Sequence, residues 1–227
     1  MPQDFRRLRQ RTRDPLLTVL NLVVAALMFV IAPLRAAGVV EANVFAFGFE
    51  FMLVVAIFMV SDSLFAVAGI VLAMAMSITA NLLEQRQQSI FDLWLYAAAW
   101  LIAGVTVNVV VARAVFAPGV VTYHRIVGAM LLYLNIGVIF VALYSFVILS
   151  APRAFTNLPP PQHDLALAAD VIYFSFVTLT SVGYGDIVPL HPLARGLANL
   201  EAVFGQLYPA IFLTRLLTLR IEQKPET

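Results

Sequence analysis

Long runs of hydrocarbon side chains, interrupted by short polar clusters, set the plan of this chain. A helix needs about 20 apolar residues to cross the hydrocarbon core of a bilayer. PLLTVLNLVVAALMFVIAPL, 15–34, meets that length and predicts a first span. It follows DFRRLRQRTRD, which holds five Arg. The apolar run is too long for the hydrophobic part of a signal peptide, and Arg35 stands where small residues should precede cleavage, so the span reads as retained. From Val44 to Leu83 forty residues are broken only by Glu50 and Ser61-Asp62-Ser63. That length makes two helices, 42–60 and 64–83, with Ser-Asp-Ser as turn and N-cap. Polar NLLEQRQQS separates them from a fourth span, 91–112, which ARAVFAPG ends; a fifth runs over 124–150 and a sixth over 194–218.

Between the fifth and sixth spans the pattern changes. APRAFTNLPPPQHDLALAA carries three consecutive prolines, 159–161, which rule out helix there and predict an exposed loop. AADVIYFSFVTLT, 168–180, is too short to span and predicts a re-entrant helix, with Asp170 as its cap. TLTSVGYGDIVP, 178–189, follows, placing hydroxyls, two glycines and an Asp at membrane depth.

Composition narrows the class. The chain is 62% hydrophobic and 12% charged, against roughly half and a quarter for soluble domains, so it is a membrane protein. With no Cys there is no disulfide framework or thiol nucleophile, and three His without HExxH spacing leave little for a metal enzyme. Net charge, +1, says little, but its distribution is informative. With the N-terminus inside and six crossings, ten Lys and Arg lie inside and four (Arg35, Arg86, Arg153, Arg195) outside. That bias puts both termini in the cytoplasm and the glycine motif on the outer side.

Backbone at membrane depth must be hydrogen-bonded or must line a watery cavity. An extended GYG segment cannot bond to itself, so its carbonyls need another partner, and a desolvated cation is the obvious one. Aiming successive carbonyls at one axis requires alternating backbone handedness. Gly183 and Gly185 fall at alternate positions, where glycine adopts the left-handed region at no steric cost. Ser181 adds a hydroxyl oxygen at the inner end. One chain forms one wall of such a tube, so several chains must surround the axis.

TLTSVGYGD closely resembles the signature of potassium channels, whose four TVGYG loops replace the hydration shell of K⁺ with carbonyl oxygens. The resemblance implies an all-α membrane protein with six transmembrane helices, and a re-entrant pore helix and extended selectivity filter between helices 5 and 6. It implies K⁺ bound at Ser181, Val182, Gly183 and Tyr184, with the Ser181 side chain completing the innermost site and Gly185 shaping the outer mouth. Ser181 replaces the usual Thr, keeping the hydroxyl and losing a methyl. Thr180, Tyr173 and Asp186 are the implied filter supports; Tyr173 falls where many such channels have a Trp bonded to the filter Asp. Val177 stands where some bacterial members carry a bracing Glu, so that second brace is missing. Gly205 matches a hinge glycine of the inner helix, and Pro209 one turn later removes a backbone bond, so the sixth span is expected to bend there. Glu201 either raises cation concentration in the cavity or braces the pore helix from behind.

The expected organisation is a basic cytoplasmic N-terminus (1–14), a four-helix sensor-like domain (15–120), a pore domain (121–220) and a short tail (221–227). The resemblance covers 121–220 well and is only architectural before that. Span 91–112 has no Lys or Arg, and Arg113 sits at its cytoplasmic end. Moving one charge across 100 mV is worth about 2.3 kcal/mol, so steep voltage gating needs several charges, and weak or absent voltage dependence is expected. The expected assembly is a homotetramer in the bacterial plasma membrane, touching lipid, with no nucleic-acid partner, no cofactor beyond permeant K⁺ and no regulatory cytoplasmic domain in this chain. The rival functions are a non-selective cation channel and, in another class, an intramembrane aspartyl protease, since Gly183-Tyr184-Gly185-Asp186 also fits a GxGD pattern. Asp62 and Asp92 lie at span ends, which argues against the protease. His163 and His191 are expected beside the outer mouth as solvated loop residues, and the Phe45, Phe47, Phe49 and Phe51 face is expected to pack.

Overall fold

The computed structural model describes residues 16–40, 42–60, 63–86, 89–116, 123–151, 153–159 and 165–222. Asp62, His163, the Arg-rich N-terminus and the tail beyond Glu222 lie outside the described residues, as do the side chains of His124, Arg125, Arg215 and Arg220. Every described element is helical apart from one isolated bridge between Phe155 and Pro189. The helices are α1 (Leu16–Ala36), α2 (Ala42–Val60), α3 (Leu64–Arg86), α4 (Ile90–Val115), α5 (Tyr123–Ser150), α6 (Leu165–Leu179) and α7 (Pro192–Glu222).

Among the described residues, four segments are long and apolar enough to cross a membrane: Leu16–Ala36, Leu64–Glu84, Ile90–Arg113 and Ile126–Ser150. Val44–Ile57 and Leu167–Leu179 are shorter apolar helices. Boundaries shift where local chemistry overrides the hydropathy pattern. Much of the NLLEQRQQS cluster stays helical, because α3 continues to Arg86. Ser89 and Asp92 then form a reciprocal cap on α4: the Ser89 hydroxyl accepts from the Phe91 amide, and the Asp92 carboxylate accepts from the Ser89 amide at 3.0 Å. Ser63 receives the Ala66 amide at the start of α3. Asp170 is not the cap of α6. That helix runs from Leu165, where LALAA is a run of good helix formers, and Asp170 lies inside it.

Within α1 the turn Leu27–Ile31 widens to a π-helix just before Pro33. Proline has no N–H and its ring crowds the carbonyl four residues earlier, so the preceding turn opens instead of breaking. The turn also places Phe29 edge-on to Phe176 of α6, with ring centroids 4.8 Å apart. Phe45 and Phe49 of α2 stack on Trp100 of α4, whereas Phe47 and Phe51 are exposed, so only half of that aromatic face packs.

α4 lies along both α3 and α5. Asn135 of α5 is buried and donates its side-chain amide to the Gly104 carbonyl of α4 at 2.6 Å. In an apolar layer such a bond fixes how two helices meet, since lipid offers the amide no other partner. α5, α6 and α7 pack on one another around Leu131, Tyr144, Ser175, Leu179 and Glu201, all with essentially no exposed surface.

Candidate functional site

The segment after α6 reverses direction through a short non-helical ribbon. Its amides point back to the helix: Thr180 donates to the Phe176 carbonyl, Ser181 to Thr178, and Val182 and Gly183 both to Val177, over 2.9–3.3 Å. These bonds occupy the last turn of α6 and turn the opposite edge of the ribbon away from the helix. Ser181, Gly183 and Gly185 have φ of 58°, 55° and 80°, so every second residue is left-handed. Glycine adopts that region freely; for Ser181 it is strained. Among the described residues, no hydrogen bond ends on the backbone carbonyls of 181–185. Residues 180–186 are exposed in the single chain, Tyr184 at 71%.

The flank after Gly185 is tied down by partners that sequence alone did not reveal. Asn157 donates to the Asp186 carbonyl at 2.7 Å, Val188 donates to the Thr156 hydroxyl, and Leu190 and His191 donate to the Ala154 carbonyl. Arg195 reaches the Pro189 carbonyl, and His191 accepts from the Leu193 amide at the start of α7. The Tyr173 ring stacks parallel on Tyr184, with centroids 6.3 Å apart, and its hydroxyl lies within reach of the Asp186 carboxylate. Thr180 turns its hydroxyl back to the Phe176 carbonyl at 2.6 Å.

Behind α6 sits a buried acid. Glu201 of α7 is fully enclosed, with the Tyr144 hydroxyl of α5 donating to its Oε2 at 2.6 Å and Ser175 of α6 hydrogen-bonded to its Oε1 at 2.5 Å. Ser175 also donates to the Gly137 carbonyl at 3.0 Å. Three helices therefore meet at one carboxyl group, on the side of α6 away from the ribbon. Val177 supplies no carboxylate, and the carboxyl group bonded to α6 comes from α7 instead. The signal for Tyr144 and Ser175 was a polar atom within an apolar run, which marks a protein-facing side without naming the partner.

α7 is helical through both Gly205 and Pro209. A Cβ at Gly205 would lie 1.7 Å from the Leu179 carbonyl oxygen, so glycine is required for the helix to seat against the end of α6. That seating carries Gln206 to the ribbon, where its amide donates to the Ser181 hydroxyl at 2.8 Å. Tyr208 donates to the Ala129 carbonyl and Tyr133 approaches the Leu179 carbonyl, closing α5 against the same region.

Residues 133–221 match the family described as ion channel, covering the ribbon and both helices around it. Across those residues the chain is similar to ion channels. Among curated relatives, protein LctB of Bacillus caldotenax is 35% identical over 85 residues, 37% of this chain and 63% of that protein. The two pore potassium channel c of Oryza sativa subsp. japonica is 41% identical over 66 residues, 29% of this chain and 12% of that channel. The inward rectifier potassium channel Kirbac3.1 of Paramagnetospirillum magnetotacticum is 33% identical over 70 residues, 31% of this chain and 22% of that channel. The chain thus spans less than two thirds of the length of the curated relatives it matches. No solved structure matches it. These similarities are to channels and favour that reading over the GxGD protease.

Proposed function

We propose that the chain is the subunit of a potassium-selective channel, in which four copies of residues 181–185 enclose a row of dehydrated K⁺ ions. The observation that carries this reading is the alternation of left-handed residues at 181, 183 and 185 in a ribbon whose amides are turned back to α6. Alternation brings successive carbonyls to one edge, where they replace the water of a monovalent cation. Ser181, Val182, Gly183 and Tyr184 contribute the carbonyls, the Ser181 hydroxyl completes the innermost site, and Gly185 opens the outer mouth. The exposure of this edge in one chain supports a closed ring of copies, and fourfold symmetry gives K⁺ a cage of eight oxygens per site.

Tyr173, Thr180, Asp186 and Glu201 hold the ribbon in register with α6. Pro209 has no N–H to give to the Gly205 carbonyl four residues earlier, so this pair is where α7 bends when the inner end opens. α2 and α7 complete six crossings, with α6 re-entrant, residues 15–120 forming a sensor-like domain and 121–220 the pore. The distribution of Lys and Arg supports cytoplasmic termini in a bacterial plasma membrane. With no basic residue between 91 and 112, transmembrane voltage has little charge to act on, and gating is weakly voltage-dependent at most.

Reconstitution of the purified full-length chain in liposomes tests the reading. K⁺ flux well above Na⁺ flux is expected. Equal fluxes would make it a non-selective cation channel, and impermeable liposomes would end the channel assignment of this chain on its own.

A further inference from the structure

Ser181 combines two liabilities. Its backbone is held at φ 58°, a region that side-chain-bearing residues rarely adopt. Its side chain lacks the methyl that would stiffen χ1: a threonine is β-branched and restricted, whereas serine turns among three staggered wells. A hydroxyl that turns freely does not present a fixed oxygen to an ion.

Gln206 supplies the missing restraint. It follows Gly205 on α7, and the close seating of Gly205 on the Leu179 carbonyl brings the Gln206 amide within 2.8 Å of the Ser181 oxygen. A serine oxygen has two lone pairs, so it accepts this bond with one and keeps the other for a second partner. The donated bond selects one rotamer and at the same time pins the strained residue from the inner side.

We infer that Gln206 is a positioning residue for the innermost ion site, where its side-chain amide does for Ser181 what the γ-methyl does for a threonine. This rests on the channel reading above. The freed rotor dilutes the coordinating rotamer by up to about threefold per chain, and by on the order of 80-fold as a ceiling when four chains act together.

The test is a double-mutant cycle on the full-length protein in liposomes, with K⁺ and Na⁺ fluxes measured for wild type, Gln206→Met, Ser181→Thr and the double variant. Met keeps the length and volume of Gln and removes the donor. Gln206→Met is expected to lower the K⁺/Na⁺ flux ratio by about threefold or more. Ser181→Thr sets its own reference ratio, and the double variant should match it. A ratio unchanged in Gln206→Met overturns the inference, and so does an equal fall in both backgrounds, which would be a general effect on the cavity. If Gln206→Met passes neither ion, recovery of K⁺ flux in the double variant supports the inference and failure to recover overturns it. Wild-type liposomes that pass no K⁺ would remove the channel reading and this inference with it; conducting wild type with an insensitive Gln206→Met removes the inference alone.

Discussion

The Glu201 junction makes a quantitative demand on a single oxygen atom. Tyr144→Phe deletes the hydroxyl that donates to Glu201 Oε2 at 2.6 Å and preserves the ring, which sits 5.1 Å from Phe174 and 5.7 Å from Phe155. Those rings offer Oε2 no replacement donor, and Tyr144 and Glu201 are both completely buried. An acceptor stranded in this way costs about 1–3 kcal/mol, more than the bond's net contribution. A change of 1 kcal/mol moves the midpoint of a chain this size by about 2–4 °C, so a cost of ~2 kcal/mol lowers Tm by ~4–8 °C. Far-UV circular dichroism of the full-length protein in lipid nanodiscs reads the shift. Glu201→Gln is expected to change Tm far less, because its Oε1 still accepts from Tyr144 while its Nε2 donates to Ser175, which in turn donates to the Gly137 carbonyl. Combining Tyr144→Phe with Glu201→Leu removes both ends of the bond, so the two effects should fall short of additivity by about 0.5–3 kcal/mol. A midpoint for Tyr144→Phe indistinguishable from wild type, or strict additivity in the double variant, would refute the reasoning.

Two further substitutions probe the ribbon and its seat. Gly205→Ala puts a methyl 1.7 Å from the Leu179 carbonyl oxygen, and overpacking against backbone costs about 3 kcal/mol or more, so little monodisperse protein should elute on size exclusion; wild-type yield and flux would contradict this. Tyr173→Phe keeps the stack on Tyr184 and removes the hydroxyl within reach of Asp186; losing one bond there, at about 1 kcal/mol, predicts roughly fivefold faster current decay during sustained conduction, and unchanged decay in planar bilayers would count against the support role.

Much of this protein is written locally. A run of 20 or so apolar residues must satisfy its backbone in its own helix wherever the rest of the chain goes, so most helices could be read to within a few residues. The ribbon is local too: glycines at 183 and 185, flanked by hydroxyls, allow a handedness that other residues resist, and the alternation appears where the sequence put it. Even here one residue escaped notice, since nothing in the letters distinguishes a right-handed Ser181 from the left-handed one observed. The start of α6 was misplaced because the hydropathy pattern outweighed the helix-forming LALAA stretch.

Other features depend on which helix faces meet. Tyr144 and Glu201 are 57 positions apart, Ser175 and Glu201 26, Gln206 and Ser181 25, and Asn157 and Asp186 29. A polar side chain in an apolar run announces that it avoids lipid, but several neighbours satisfy it equally well on paper. The choice falls to packing: Gly205 lets α7 come against the end of α6, and that one close approach sets Glu201 behind the helix and Gln206 beneath the ribbon. Hydrogen-bond partners follow from the distance between two backbones, a quantity that no stretch of either helix contains.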